Sequence, residues 1–257
     1  MHKNRILLII FNMNILTPLI ICTIAGLGTL IGSLLVFIPK IDKNGSMSLI
    51  LGFSGTIMIL ISILDLLPTS ISTILSSFST LKTFVIGIIS FYLGYLIITI
   101  LDKKVEKESS LYKVGILSLI GLMLHNFPEG IATFMTSINN QALGIKLSIA
   151  IMLHNIPEGI CICIPIAKST GSIKKGIGAS FLASLAEPLG ALIAFVFLHH
   201  YINDITIGII LIFVAGIMIT LSINSIYKEA KRLEKGKCFI TGVIIAIIFN
   251  LISIIFF

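Results

Sequence analysis

Tryptophan is absent from this chain, and charge is scarce: only 11% of its 257 residues are Asp, Glu, Lys or Arg. An ordinary soluble domain carries about 25%. With 56% apolar residues, the chain has too little polar surface to cover a water-soluble fold. That excludes a cytosolic enzyme and leaves a multi-span membrane protein, whose exterior faces lipid. Arginine is nearly missing as well, with Arg5 and Arg232 alone beside 16 lysines. The net charge of +7 would invite nucleic acid in a soluble protein. Here the bases fall between apolar runs, so they mark membrane topology and no nucleic-acid partner is expected. Cysteine is too sparse and scattered for a disulfide framework or a C-x-x-C redox pair.

What is present is a series of long apolar runs. Crossing ~30 Å of hydrocarbon takes about 20 mostly apolar residues at 1.5 Å each. Eight runs qualify, over 14–38, 47–67, 82–101, 113–137, 144–167, 176–198, 205–227 and 238–256. None alternates as a lipid-facing barrel strand would. The expected fold class is therefore an all-α membrane protein of eight transmembrane helices, a single integral membrane domain over residues 1–257. Residues 6–11 follow Lys3 and Arg5 as in a signal peptide, but no small-residue cleavage site follows and the reading is an uncleaved first span. Loops one, three, five and seven hold fourteen of the 18 bases, and the opposite side holds Lys3, Arg5, Lys82 and Lys146. The positive-inside rule then places the odd loops in the cytoplasm and both termini outside, in a multi-pass cell-membrane protein. Gly26, Gly28 and Gly32 resemble a nucleotide-binding fingerprint, but no strand precedes them, so they and Gly87, Gly94, Gly208 and Gly216 are read as close helix packing.

No base lies well inside a span, yet Asp65, His125, Glu129, His154, Glu158 and Glu187 do. A charged side chain at mid-bilayer costs ~2.5–3.5 kcal/mol on insertion scales, so such residues mark function. They are also organised. Residues 125–131 read HNFPEGI and residues 154–160 read HNIPEGI. In each copy His and Glu are four apart and stack on one helix face. Imidazole nitrogen with carboxylate oxygen suits Zn²⁺, and also Fe²⁺, Mn²⁺, Co²⁺ or Cd²⁺. Pro128 and Pro157 leave the carbonyls of Leu124 and Leu153 without their helical donor, exposing polar backbone. Asn126 and Asn155 offer neutral amide oxygens about 100° round the helix, which fits an adjacent second subsite. Glu187, followed by Pro188, lies near the middle of the sixth span, level with the doubled motif. Asp65, in LDLLP, lies near the outer end of the second span and suits an entrance.

The paired HNxPEG motifs on spans four and five, the EPxG on span six, the eight spans and the outside termini resemble the ZIP (Zrt-, Irt-like) family of divalent metal transporters, notably bacterial zinc-uptake members with short loops. The resemblance runs from the first span to the last. It implies uptake of a divalent cation, zinc foremost, with the metal as transported substrate and no prosthetic group. It implies a binuclear centre in which His125, Glu129, His154 and Glu158 hold one ion. Asn126, Glu129, Asn155, Glu158 and Glu187 would hold or relay the second, with Glu129 and Glu158 bridging. It further implies two helix bundles that slide past each other, often in a homodimer. Three places depart from the family's pattern: Thr69 stands where relatives frequently carry an acid, and Asn224, Ser225 and Lys228 replace a common acidic pair and proline. The loop DKKVEKESSLYK also contains no histidine.

Two other classes remain at this stage. An intramembrane metal-dependent hydrolase would show HExxH, whereas the order here is H-x-x-x-E, twice. A cation-coupled carrier of a small solute would use carboxylates but has little need of paired histidines. Cys161 and Cys163, two apart, point about 200° from each other and read as packing. His199, His200 and Asp204 read as a solvated loop, and His2 as an unimportant terminal residue.

Overall fold

The computed structural model describes residues 15–38, 43–105, 108–198, 203–233 and 235–256. His2, Lys3, Arg5, residues 6–11, Lys40, Lys107, His199 and His200 lie outside the described residues. Among the described residues there is no strand, and eight helices are long and apolar enough to cross a membrane. They are α1 (Leu16–Phe37), α2 (Asn44–Leu75), α3 (Thr80–Lys104), α4 (Ser110–Asn139), α5 (Gln141–Thr170), α6 (Ile173–Val196), α7 (Asp204–Arg232) and α8 (Gly236–Ser253). The expected fold class and span count stand.

Four of these helices start on a polar residue that caps them. The side chains of Ser109, Asn140, Ser172 and Asn203 each accept a hydrogen bond from a backbone N–H in the first turn of the helix they precede, α4 to α7. Gly171, with φ +65°, ends α5 in the left-handed conformation that favours glycine. The largest difference from expectation is in α2, which runs on through Pro68 to Leu75 instead of ending near residue 67. A wide π-type turn at Ser62–Leu66 lies one residue before Pro68, with Leu67 between them. Such a turn accommodates the hydrogen bond that proline cannot donate. A second π turn, Ser222–Ile226, interrupts α7 and contains Asn224 and Ser225.

The helices associate as two groups of four. In one, α1 lies along α5 and also touches α4 and α6, while α4 packs on α5 and α6. In the other, α8 lies along α2, α7 lies along α3, and α2 and α7 meet. The groups join where α4 meets α7 and α2 meets α5. The peripheral α3 and α8 present Leu81, Phe84, Ile88, Ile89, Ile244 and Ile248 outward, a surface that only lipid or another apolar body could cover.

Glycine makes the first group tight. A Cβ on Gly32 would strike the carbonyl of Ile156, and one on Gly28 that of Met152, so backbone packs on backbone between α1 and α5. Gly94 and Gly216 do the same between α3 and α7, against the carbonyls of Phe213 and Phe91. These positions act in close packing, as read from the sequence.

Candidate metal centre

A single residue, Asn140, joins α4 to α5, forming a helical hairpin. His125 lies fifteen residues before that joint and His154 fourteen after it, so the two imidazoles share one level. Because the helices are antiparallel, Glu129 lies a turn nearer the hairpin and Glu158 a turn farther from it. Both helices remain helical through their motif prolines, Pro128 and Pro157.

The structure brings this quartet together. Glu129 Oε1 is 3.3 Å from His125 Nε2 and 3.4 Å from His154 Nε2, and Glu158 Oε1 is 3.8 Å from His125 Nε2. One donor atom from each of His125, Glu129 and His154 lies within 4.8 Å of the others. His125, Asn126, Asn155, Glu158 and Glu187 are fully buried, and Glu129 nearly so. Many of their polar atoms find no hydrogen-bond partner: both nitrogens of His125, both oxygens of Glu158, Nε2 of His154, Oε2 of Glu129 and of Glu187, and Oδ1 of both asparagines. Leaving one buried polar group unsatisfied costs about 1–3 kcal/mol. A cluster of them converging on one place has the chemistry of a cation site, since every orphaned oxygen, and one nitrogen of each imidazole, can act as a lone-pair donor.

The second group of expected ligands lies alongside. Asn155 Nδ2 donates to the carbonyl of Ala25 at 3.1 Å and to Glu187 Oε1. Asn126 Nδ2 donates to Thr29 Oγ1 at 3.5 Å. The motif glycines make room for this arrangement. A Cβ at Gly159 would hit the carbonyl of Thr29, and one at Gly130 the carbonyl of Glu187.

Asp65 belongs to the other helix group and does not join the cluster. It is exposed, accepts a hydrogen bond from Thr69 Oγ1 at 3.3 Å, and lines the same cavity as Glu129 and His154. That cavity, about 690 Å³, lies between the two helix groups and reaches Asn139, Lys146, Asp204 and Asn250 at the hairpin side. With α2 continuing to Leu75, Asp65 lies partway along the cavity wall and not at the helix end, a correction to its expected depth. Toward the opposite, lysine-rich side, Met58, Leu117, Ile160, Ile164, Ile217 and Leu221 belong to one buried apolar cluster.

Sequence reasoning missed Thr29 and the cavity-lining Asn250, and read Lys146, on the same cavity wall, only as a topology marker. Thr29 sits in a glycine-rich helix read only as packing, and its polarity in an apolar span was the available signal. Cys161 and Cys163 are buried, the first 3.5 Å from Ser118 Oγ on α4 and the second beside Gly176 on α6. They face different neighbours, as packing residues would. At the lysine-rich end Ser225 Oγ donates to Asp102, which pairs with Lys113 at 2.9 Å.

Fold and geometry thus define a polytopic helical membrane protein with a buried His/Glu cluster reached by a cavity from one face. The profile of the ZIP zinc transporter family matches residues 102–250. The chain belongs to that family, whose members are transporters and not enzymes, so the hydrolase alternative falls away. It is 35% identical over 260 residues to the zinc transporter ZupT of Streptococcus mutans, covering 95% of this chain and 98% of the relative. The ZupT of Clostridium perfringens is 33% identical over 276 residues, covering 95% and 97%. That of Campylobacter jejuni is 32% identical over 269 residues, covering 90% and 92%.

Proposed function

We propose that this protein carries zinc, and other divalent cations of similar ligand preference, across the cell membrane into the cytoplasm. The cargo passes through a centre built from His125, Asn126, Glu129, His154, Asn155, Glu158 and Glu187, and the whole chain works as one transport unit. The observation that carries this reading is the convergence of His125, Glu129 and His154 donor atoms within 4.8 Å, with Nε2 of both histidines and Oε2 of Glu129 buried and without a hydrogen-bond partner.

The lysine-rich loops favour the cytoplasm, so the cavity side faces outward. Asp65 attracts the hydrated ion at the cavity wall, and water is stripped as the ion reaches Glu129 and His154. Glu129, lying between both imidazoles, and Glu158 then bridge two adjacent subsites, with Glu187 and the asparagine oxygens on the second. Three carboxylates offset most of the charge of two dications, so the filled site is far less costly in lipid than a bare ion. Release requires the apolar cluster on the lysine-rich side to part. Nitrogen–oxygen ligation also accepts Fe²⁺, Mn²⁺, Co²⁺ and Cd²⁺.

The test is zinc uptake into proteoliposomes. His125→Ala and Glu158→Ala abolish uptake while the purified variants remain monodisperse and helical. Unchanged uptake in both overturns the assignment. Competition by iron, manganese, cobalt and cadmium in the same assay then ranks the cargo.

A further inference from the structure

An asparagine can ligate a cation only through its carbonyl oxygen; turned over, the same amide presents two N–H donors. Both asparagines of the doubled motif are fully buried, so whatever holds their NH₂ groups decides which end the ion meets. One face of α1 does this for both. The Ala25 carbonyl accepts from Asn155 Nδ2 at 3.1 Å, and four residues on, Thr29 Oγ1 accepts from Asn126 Nδ2 at 3.5 Å. In each case Oδ1 is left without a hydrogen-bond partner. Thr29 is itself fully buried, and its carbonyl fills the space that a Cβ on Gly159 would need. Gly159 directly follows Glu158. Thr29 therefore touches both motif copies: its hydroxyl holds the amide of the first, and its backbone lies against the glycine of the second.

We infer that Thr29 is a positioning residue of the metal centre, whose hydroxyl keeps the Asn126 amide turned with its oxygen toward the ion. The inference rests on the reading of Asn126 as a ligand. Valine at this position keeps the shape and removes the hydroxyl, so the Asn126 amide loses the acceptor that holds its NH₂ group before the ion arrives. Serine keeps the hydroxyl. Aspartate at position 126 has oxygen at both ends and makes the hydroxyl's orienting role superfluous.

Zinc uptake by the full chain in proteoliposomes separates these cases. Thr29→Val raises KM about tenfold, the scale of one lost buried hydrogen bond, with Vmax within about twofold. Thr29→Ser restores the parent KM. In an Asn126→Asp background, Thr29→Val changes KM less than about twofold. A KM unmoved by Thr29→Val, a Thr29→Ser as poor as Thr29→Val, or an equal penalty in both backgrounds overturns the inference; the last would mark a packing role. If Thr29→Val does not yield monodisperse protein, Thr29→Ala is read by the same three criteria. Glu158→Ala, assayed in parallel, separates the two levels. Its loss of uptake beside an unaffected Thr29→Val rejects Thr29 alone, whereas its full activity rejects the centre itself.

Discussion

Glu158 has two buried oxygens without a hydrogen-bond donor, and His125 has two such nitrogens. A cation would engage Glu158 and one nitrogen of His125 at once, and binding to the folded protein alone stabilises it by mass action, about 2.7 kcal/mol at one hundred times Kd. Zinc is therefore expected to raise the melting temperature of the purified protein in detergent. Glu158→Gln shrinks that zinc-dependent gain without lowering the metal-free melting temperature, because a neutral amide is no more costly to bury than an unpaired carboxylate. Asp65 acts differently, being exposed and apart from the cluster. Its pull on an approaching ion is long-range and screened over ~10 Å at 0.1 M salt. Initial uptake rates should show Asp65→Asn raising KM several-fold at low ionic strength, with the difference narrowing as salt is added; a salt-independent effect would point to direct ligation instead. At this scale the candidate cluster was readable from the chain itself, since a four-residue spacing fixes which side chains share a helix face. The Thr29–Asn126 contact was not, because it joins residues almost one hundred positions apart.

At the scale of the helices, the contacts that bring α1, α4, α5 and α6 together are made by backbone. Gly159→Ala would drive a methyl group into the Thr29 carbonyl, and Gly130→Ala into that of Glu187. Neither obstacle is a flexible side-chain tip. Overpacking of this kind costs ~1–3 kcal/mol, and both substitutions should lower the melting temperature and the uptake rate together. Gly178, on α6, has nothing within 4 Å of its would-be Cβ. Gly178→Ala should leave both measurements unchanged or raise stability by up to ~1 kcal/mol through helix propensity. The sequence disclosed the glycines but not their partners, as helix pairing is a long-range property. It also misjudged the end of α2, because Pro68 reads locally as a stop while the preceding π turn lets the helix continue.

For the whole molecule, orientation remains the expectation most open to a direct test. Gln141 begins α5 at the hairpin side, Lys174 lies near the start of α6 at the other, and both are exposed. With Cys238, the least buried native thiol, replaced by serine, a membrane-impermeant maleimide added to intact cells should label Gln141→Cys at once. Lys174→Cys should react only after permeabilisation, and the opposite pattern would invert the proposed direction of transport. Lysine distribution carries the expected sidedness, whereas the division into two helix groups was not legible in the sequence, since every helix is apolar along most of its length. That division has a consequence for how cargo is held. Every proposed ligand is on α4, α5 or α6, and the amides are braced by α1, so all of them belong to one helix group. The other group contributes the facing wall and Asp65. An ion seated on those ligands would be held by one helix group alone. A shift of the groups against each other would then break no coordination bond, so tight grip and rapid passage would cease to be opposing demands.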